Sequence, residues 1–168
     1  MLARASVARL DAAARMILRD PELARDAVQD GFIQAWRGLP TLRDPDRFDG
    51  WLYRLVFRAC IDVIRKRGRR PIEVELTPLH APAIADMASV VADRELLDLA
   101  LRRLEPEQRA VVVLHYFLGM SLPDVAATLG IPVGTAKSRH HRSLAAMRQA
   151  IDAEPGGAAS PVAGGQFA

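Results

Sequence analysis

The sequence predicts an all-α protein of two small helical domains joined by a flexible linker. Three observations carry that reading. Apolar residues make up half of the 168-residue chain, yet Phe, Trp and Tyr are only 5%, and the helix formers Ala, Leu and Arg dominate. The apolar residues recur three and four positions apart in blocks bounded by Pro and Gly, the period of a helix with one buried face. Between Pro71 and Ala92 that period lapses, and Pro71, Pro78 and Pro82 punctuate the stretch as a linker.

In chain order, the first helix is expected over 5–19, with Val7, Leu10, Ala14, Ile17 and Leu18 on one side. Asp20-Pro21 breaks it and starts the next helix, 22–37. There Leu23, Ala27, Phe32 and Trp36, beside Val28 and Ile33, are read as the apolar face. Gly38, Pro40 and Arg43-Asp44-Pro45-Asp46 mark a short irregular connection. A long helix follows over 48–66, with Trp51, Leu52, Leu55, Val56, Ala59, Val63 and Ile64 at helical spacing. Its end is heavily basic, with Arg65, Lys66, Arg67, Arg69 and Arg70 around Gly68. Helices resume at Asp93 with Leu96, Leu97, Ala100, Leu101 and Leu104 on one face. Glu105-Pro106-Glu107 starts another, through Val111, Val112, Leu114 and Phe117 to Gly119. The expected division is a first domain over 1–70, a linker over 71–92 and a second domain over 93–152. A disordered tail rich in Gly, Ala, Pro and Ser follows over 153–168.

The stretch from Ser121 to Leu144 is the most specific in the chain. Ser121 can cap a short helix, with Pro123 and Asp124 suited to its first turn. Val125, Ala126 and Leu129 stripe that helix, Gly130 supplies a left-handed turn, and Pro132 leads into a second helix from Val133. The second helix carries Lys137, Ser138, Arg139, His140, His141 and Arg142 with no acid among them. A short helix, a glycine turn and a helix of phosphate-seeking and base-reading side chains form the pattern of a DNA-binding helix-turn-helix. The competing reading is a helical hairpin with a solvated basic face.

Composition narrows the classes further. Net charge is only +3, so nucleic-acid contact rests on local clusters rather than on a global polycation. The single cysteine, Cys60, excludes an intramolecular disulfide and, within an apolar helix, reads as a buried inert thiol in a reducing compartment. No apolar run approaches the roughly 18–20 residues of a membrane helix, and the N-terminus lacks a signal-peptide core. A cytoplasmic protein without membrane insertion is expected. No nucleophile–base pair, P-loop or dinucleotide turn is present, so no enzymatic activity and no cofactor are expected. His140 and His141 diverge by about 100° on a helix, and no Cys or acid completes a ligand set, so no metal is expected either.

Several motifs together resemble the bacterial sigma-70 family, in its extracytoplasmic-function (ECF) branch. Ala27-Val28-Gln29-Asp30-Gly31-Phe32 with Ala35-Trp36-Arg37 resembles the region 2 helix that docks on RNA polymerase. Phe48-Asp49-Gly50-Trp51-Leu52-Tyr53-Arg54, leading to Asp62 and Arg65-Lys66-Arg67, resembles the segment that melts and reads the −10 element. Leu104-Glu105-Pro106-Glu107-Gln108-Arg109 and Gly130 to Arg139 resemble region 4, which reads the −35 element.

The resemblance implies partners and roles. Core RNA polymerase would meet Asp26, Gln29, Asp30 and Gln34. Locally melted −10 DNA would meet Phe48, Trp51, Tyr53, Arg54, Arg58, Arg65 and Lys66, since splayed bases need aromatic surfaces and the strand needs cations. Double-stranded −35 DNA would meet Thr135, Lys137, Ser138, Arg139, His141 and Arg142. An anti-sigma factor is a further partner, and domains on such a tether can pack together and hide DNA-binding faces until polymerase separates them. Helical spacing sets His140 on a stripe with Ala136 and Leu144, packed at the domain edge rather than reading DNA.

Three departures stand out. The family usually has a further stretch of helix before Val7, so either a shortened first domain or a misassigned start site is expected. Arg58 stands where many members have an Asn lining a base pocket, which implies an altered −10 preference or a backbone contact. His140 replaces an apolar residue. Two other functions compete: a stand-alone helix-turn-helix regulator, and a sigma mimic that binds an anti-sigma factor without touching DNA.

Overall fold

The computed structural model describes residues 2–68 and 87–153, and their side chains over 7–68 and 93–153. The expected linker up to residue 86, Arg69, Arg70 and the expected tail from 154 lie outside the described residues. Seven α-helices make up the described chain: α1 (Leu2–Leu18), α2 (Pro21–Gly38), α3 (Phe48–Arg67), α4 (Met87–Arg102), α5 (Pro106–Val112), α6 (Leu122–Leu129) and α7 (Val133–Asp152). Helix α4 thus begins ahead of the Asp93 start that the sequence suggested.

The first domain is built on the α2–α3 pair. Asp20 caps α2, its Oδ1 accepting from the N–H groups of Glu22 at 3.1 Å and Leu23 at 3.0 Å, while Pro21 fills the first turn. Its second oxygen accepts from the Arg67 guanidinium at 2.8 Å, tying the end of α3 to the start of α2. The buried face of α2 is made of small residues, Ala24, Ala27, Val28, Gly31 and Ala35. At Gly31 the helices nearly touch: a Cβ there would stand 2.7 Å from the Val56 Cα.

That close approach corrects one sequence expectation. Trp36, expected on the apolar face, is 79% exposed, and Ile33 is 40% exposed. A seam lined with Ala and Gly has no room for an indole, so Trp36 turns outward. Val7, Leu97 and Phe117, also expected in apolar faces, are exposed as well.

In the second domain Glu105 and Gln108 close a cap at the start of α5, with the Glu105 N–H donating to Gln108 Oε1 at 3.3 Å. Helix α5 runs into a π turn over Val113–Phe117, where the Leu118 N–H reaches back to the Val113 carbonyl at 3.3 Å. Ser121 caps α6, its Oγ accepting from the Asp124 N–H at 3.2 Å. Gly130 ends α6 at φ +64°, the left-handed conformation expected of it.

The two halves share one core. Leu10, Ile17, Val56, Phe57 and Cys60 from the first domain join Val111, Leu114, Val125 and Leu129 from the second in a single buried cluster. Helix α3 lies on α6, and α1 lies on α5 and the π turn. Arg109 is buried at this seam, donating from Nε to the Ile17 carbonyl at 2.9 Å and from Nη1 to the Leu104 carbonyl at 3.2 Å. Carbonyls at helix ends suit a buried cation. Burial, and then the nearby Arg19 charge, lower its pKa to about 10, which leaves it charged at neutral pH. Arg19 pairs with Asp98 at 2.8 Å, and Arg9 donates to the Phe117 carbonyl at 3.0 Å. Burial also pushes the Cys60 thiol up to about 12, so it is not a thiolate at neutral pH.

Candidate nucleic-acid interface

Three groups of exposed side chains stand out on this body. On α2, Asp26, Gln29, Asp30 and Gln34 are all exposed on the side away from the Ala-Gly seam. Ile33 and Trp36 lie among them, so this surface is an acidic and amide rim around an apolar centre. Helical period alone did not reveal that centre. The signal for it in the sequence is the run of small residues at 24, 27, 31 and 35, which marks the true buried face.

On α3, Trp51, Arg54, Arg58, Asp62 and Arg65 follow one another at helical spacing. Arg54, Arg58, Arg65 and Lys66 are exposed. Phe48 packs obliquely on Trp51, ring centroids 6.0 Å apart at 49°, and the Trp51 ring covers Gly38. Tyr53 is separate from this stripe, edge-on to the buried Phe57 at 6.4 Å. Arg67 is spent on Asp20, while Arg65 has only a loose, exposed pairing with Asp62 at 3.9 Å. The stripe therefore combines two aromatic rings with a row of cations, the chemistry that suits a single strand.

On α7, Lys137, Ser138, His141 and Arg142 are exposed together. The Ser138 hydroxyl donates to the Thr135 carbonyl at 3.0 Å, leaving its lone pairs outward, and Arg142 Nε rests on the Ser138 carbonyl at 3.3 Å. Arg139 differs from these. It pairs with Glu107 at the start of α5, and the pair is partly buried, so it holds α7 in place. The opposite side of α7 buries Ala136, Ser143 and Ala150. Leu144, on the stripe with Ala136 and His140, is half-buried, and the Ser143 hydroxyl donates to the Arg139 carbonyl at 2.7 Å.

His140 packs against the π turn. Its ring stacks on Tyr116, centroids 5.7 Å apart at 23°, and Tyr116 Oη lies 3.1 Å from His140 Nε2. Burial, followed by the neighbouring His115 and His141, holds its pKa below the usual imidazole value. Among the described residues, no group of three or more His, Cys, Asp or Glu could hold a metal ion. No described helix is long and apolar enough to cross a membrane.

Two helical domains, one with an exposed aromatic and basic stripe and one with a helix-turn-helix whose second helix exposes a basic row, have the chemistry of a nucleic-acid-binding protein. Family comparison agrees on both halves: sigma-70 region 2 matches residues 2–70 and sigma-70 region 4 matches residues 94–147. The chain belongs to the ECF sigma factors of RNA polymerase, and it works in promoter-specific transcription initiation. It is 36% identical over 139 residues to the ECF RNA polymerase sigma factor SigM of Mycobacterium tuberculosis, covering 82% of this chain and 69% of SigM. The RNA polymerase sigma-E factor of Streptomyces coelicolor is 34% identical over 138 residues, covering 82% and 77%. Among solved structures, CnrH in complex with the cytosolic domain of CnrY matches with a TM-score of 0.62 and 28% identity, covering 91% of this chain and 86% of that one. The sigma factor RpoE of Bartonella quintana, solved with the anti-sigma factor NepR, shares the fold at a TM-score of 0.70 and 24% identity, covering 90% and 94%. A stand-alone helix-turn-helix regulator does not account for a region 2 match over the first domain.

Proposed function

We propose that the three surfaces divide the work of initiation. Asp26, Gln29, Asp30 and Gln34, around Ile33 and Trp36, meet the core polymerase. Phe48, Trp51, Arg54, Arg58, Arg65 and Lys66 engage the melted −10 strand, with Tyr53 supporting Phe57 from behind. Lys137, Ser138, His141 and Arg142 read the −35 duplex, and Thr135 and Arg139 orient them. The observation that carries this reading is the exposed, acid-free row on α7, beside an Arg139 already committed to Glu107. Replacing Lys137 and Arg142 together by Ala should abolish −35 protection by the reconstituted holoenzyme and leave core binding intact. It should also flatten the salt dependence of promoter binding, by roughly one unit of log–log slope for each phosphate no longer neutralised. Unchanged −35 protection refutes the assignment.

The shared core favours a second, compatible reading: the packed arrangement is a resting form. A compact chain of this size has a radius of gyration of about 15 Å, hence a span of about 40 Å. Elements about 25 base pairs apart lie about 85 Å apart on B-DNA, at 3.4 Å per pair. One packed body cannot reach both, so α1 and α3 must leave α5 and α6 on the promoter. An anti-sigma factor that binds the packed pair would hold this form. Fluorescence transfer between dyes on α2 and α7 tests the idea. High transfer in the isolated chain should fall on addition of core polymerase; equal transfer in both states overturns it.

A further inference from the structure

We propose that Tyr116 and His140 form a positioning pair for −35 reading, setting the angle at which α7 presents its base-reading row. This inference rests on the assignment of Lys137, Ser138, His141 and Arg142 to the −35 duplex. The π turn supplies the geometry, because one extra residue per turn brings His115 and Tyr116 out toward α7. Tyr116 Oη and His140 Nε2 share a hydrogen bond at 3.1 Å, and the two rings stack. His115 stands edge-on to both rings, at 4.7 Å from Tyr116 and 5.2 Å from His140. A carbonyl can only accept, so His115 donates from Nδ1 to the Met120 carbonyl at 2.6 Å, which fixes its ring.

Helix α7 is thereby held from two sides. On one, Arg139 pairs with Glu107 and Ser143 is buried. On the other, His140 meets Tyr116. The reading side chains project from the turns between these anchors, so a small rotation about either moves all of them together. Specific base contacts tolerate little such motion, since a bidentate hydrogen bond fails within a fraction of an ångström and a few tens of degrees. Tyr116 is 59% exposed and contributes little to the core, which leaves its contacts with His140 and His115 as its main interactions. With an apolar residue at position 140 this hydrogen bond could not form.

The test uses holoenzyme reconstituted from the full chain, on a promoter mapped by run-off transcription of genomic fragments. The readout is the ratio of affinities for that promoter and for the same duplex with its −35 element scrambled. Tyr116→Phe removes the hydroxyl alone, at an exposed site where folding is not threatened. It and His140→Leu should each lower the ratio three- to tenfold, and the double variant should be no worse than either single one. His140→Gln, which restores a hydrogen-bonding group, should recover part of the ratio with Tyr116 present and none beside Tyr116→Phe. An unchanged ratio in Tyr116→Phe and His140→Leu, while Lys137→Ala with Arg142→Ala brings it to one, overturns the positioning pair. A lowered thermal midpoint without a lowered ratio overturns it too. A ratio indifferent to Lys137 and Arg142 as well overturns the −35 assignment itself.

Discussion

The Arg19 guanidinium meets the Asp98 carboxylate at 2.8 Å, joining the end of α1 to α4 across the two domains, and it does so from a backbone at φ +56°. A non-glycine residue in that conformation costs about 1–2 kcal/mol. Asp98 is drawn into a second bond with Arg102 at 2.7 Å. Burial alone would raise its pKa, but Arg19 and Arg102 outweigh burial and hold the carboxyl below its usual value. The chain thus keeps a strained residue where a glycine would fit freely, and the side chain is what it gains.

Two substitutions at Arg19 separate strain from bridge. Arg19→Ala loses the ion pair and keeps the strain, whereas Arg19→Gly loses both. Each should shift the packed form toward the separated one, lowering transfer between dyes on α2 and α7. Arg19→Gly should fold more stably than Arg19→Ala by about 1 kcal/mol, since glycine takes positive φ without penalty. Equal stability of the two would show that the backbone at residue 19 relaxes once the bridge is gone. Asp98→Asn should open the domains without any change in backbone strain.

At Gly31 the expected outcome is loss of stability. A Cβ there would lie 2.6 Å from Val56 Cγ2 and 2.7 Å from the Val56 Cα, and the backbone of α3 cannot move aside as a flexible side chain would. Gly31→Ala should destabilise the protein by roughly 1–3 kcal/mol, the usual cost of overpacking. Chemical denaturation measures it. A neutral result would mean that α2 and α3 move apart easily.

Much of the fold is legible in the sequence, and what is not legible shares one cause. Asp20-Pro21, Ser121 and Gly130 announce their boundaries because caps and left-handed turns are local chemistry. The helix-turn-helix and its exposed row follow from helical period alone. Period does not say which side of an amphipathic helix meets a neighbour when small residues line the seam, and so it puts Trp36 on the wrong side of α2. It says nothing of where a long-range cation ends up. Arg139 and Arg67 read as DNA-facing charges until the fold brings Glu107 and Asp20 beside them. The packing of α3 on α6 was open to expectation but not to derivation, because residues on either side of a linker carry no shared period.

Thr128 offers a stabilising substitution. It is fully buried in α6, and its hydroxyl is the one buried side-chain polar atom among the described residues without a hydrogen-bond partner. An unsatisfied buried hydroxyl costs about 1–3 kcal/mol. Thr128→Val keeps the branched shape and removes the penalty, so stability should rise by about 1 kcal/mol in urea denaturation. A loss of stability would show that the hydroxyl has a partner in solution.

His140 makes the stability of the second domain depend on pH near neutrality. Burial, then the proximity of His115 and His141, depress its pKa. The facing groups on the π turn are His115 and Tyr116, and its neighbours on α7 are Arg139, His141 and Arg142. All the charges these can carry at neutral or acid pH are positive. A base with a lowered folded pKa takes up its proton more readily when unfolded. Stability is therefore full above the unfolded value of about 6.5 and is lost as pH falls from there through the folded value. The thermal midpoint should fall by a few degrees between pH 7.5 and pH 5.5, and His140→Leu should remove most of that slope. A slope unchanged by His140→Leu refutes the assignment to His140.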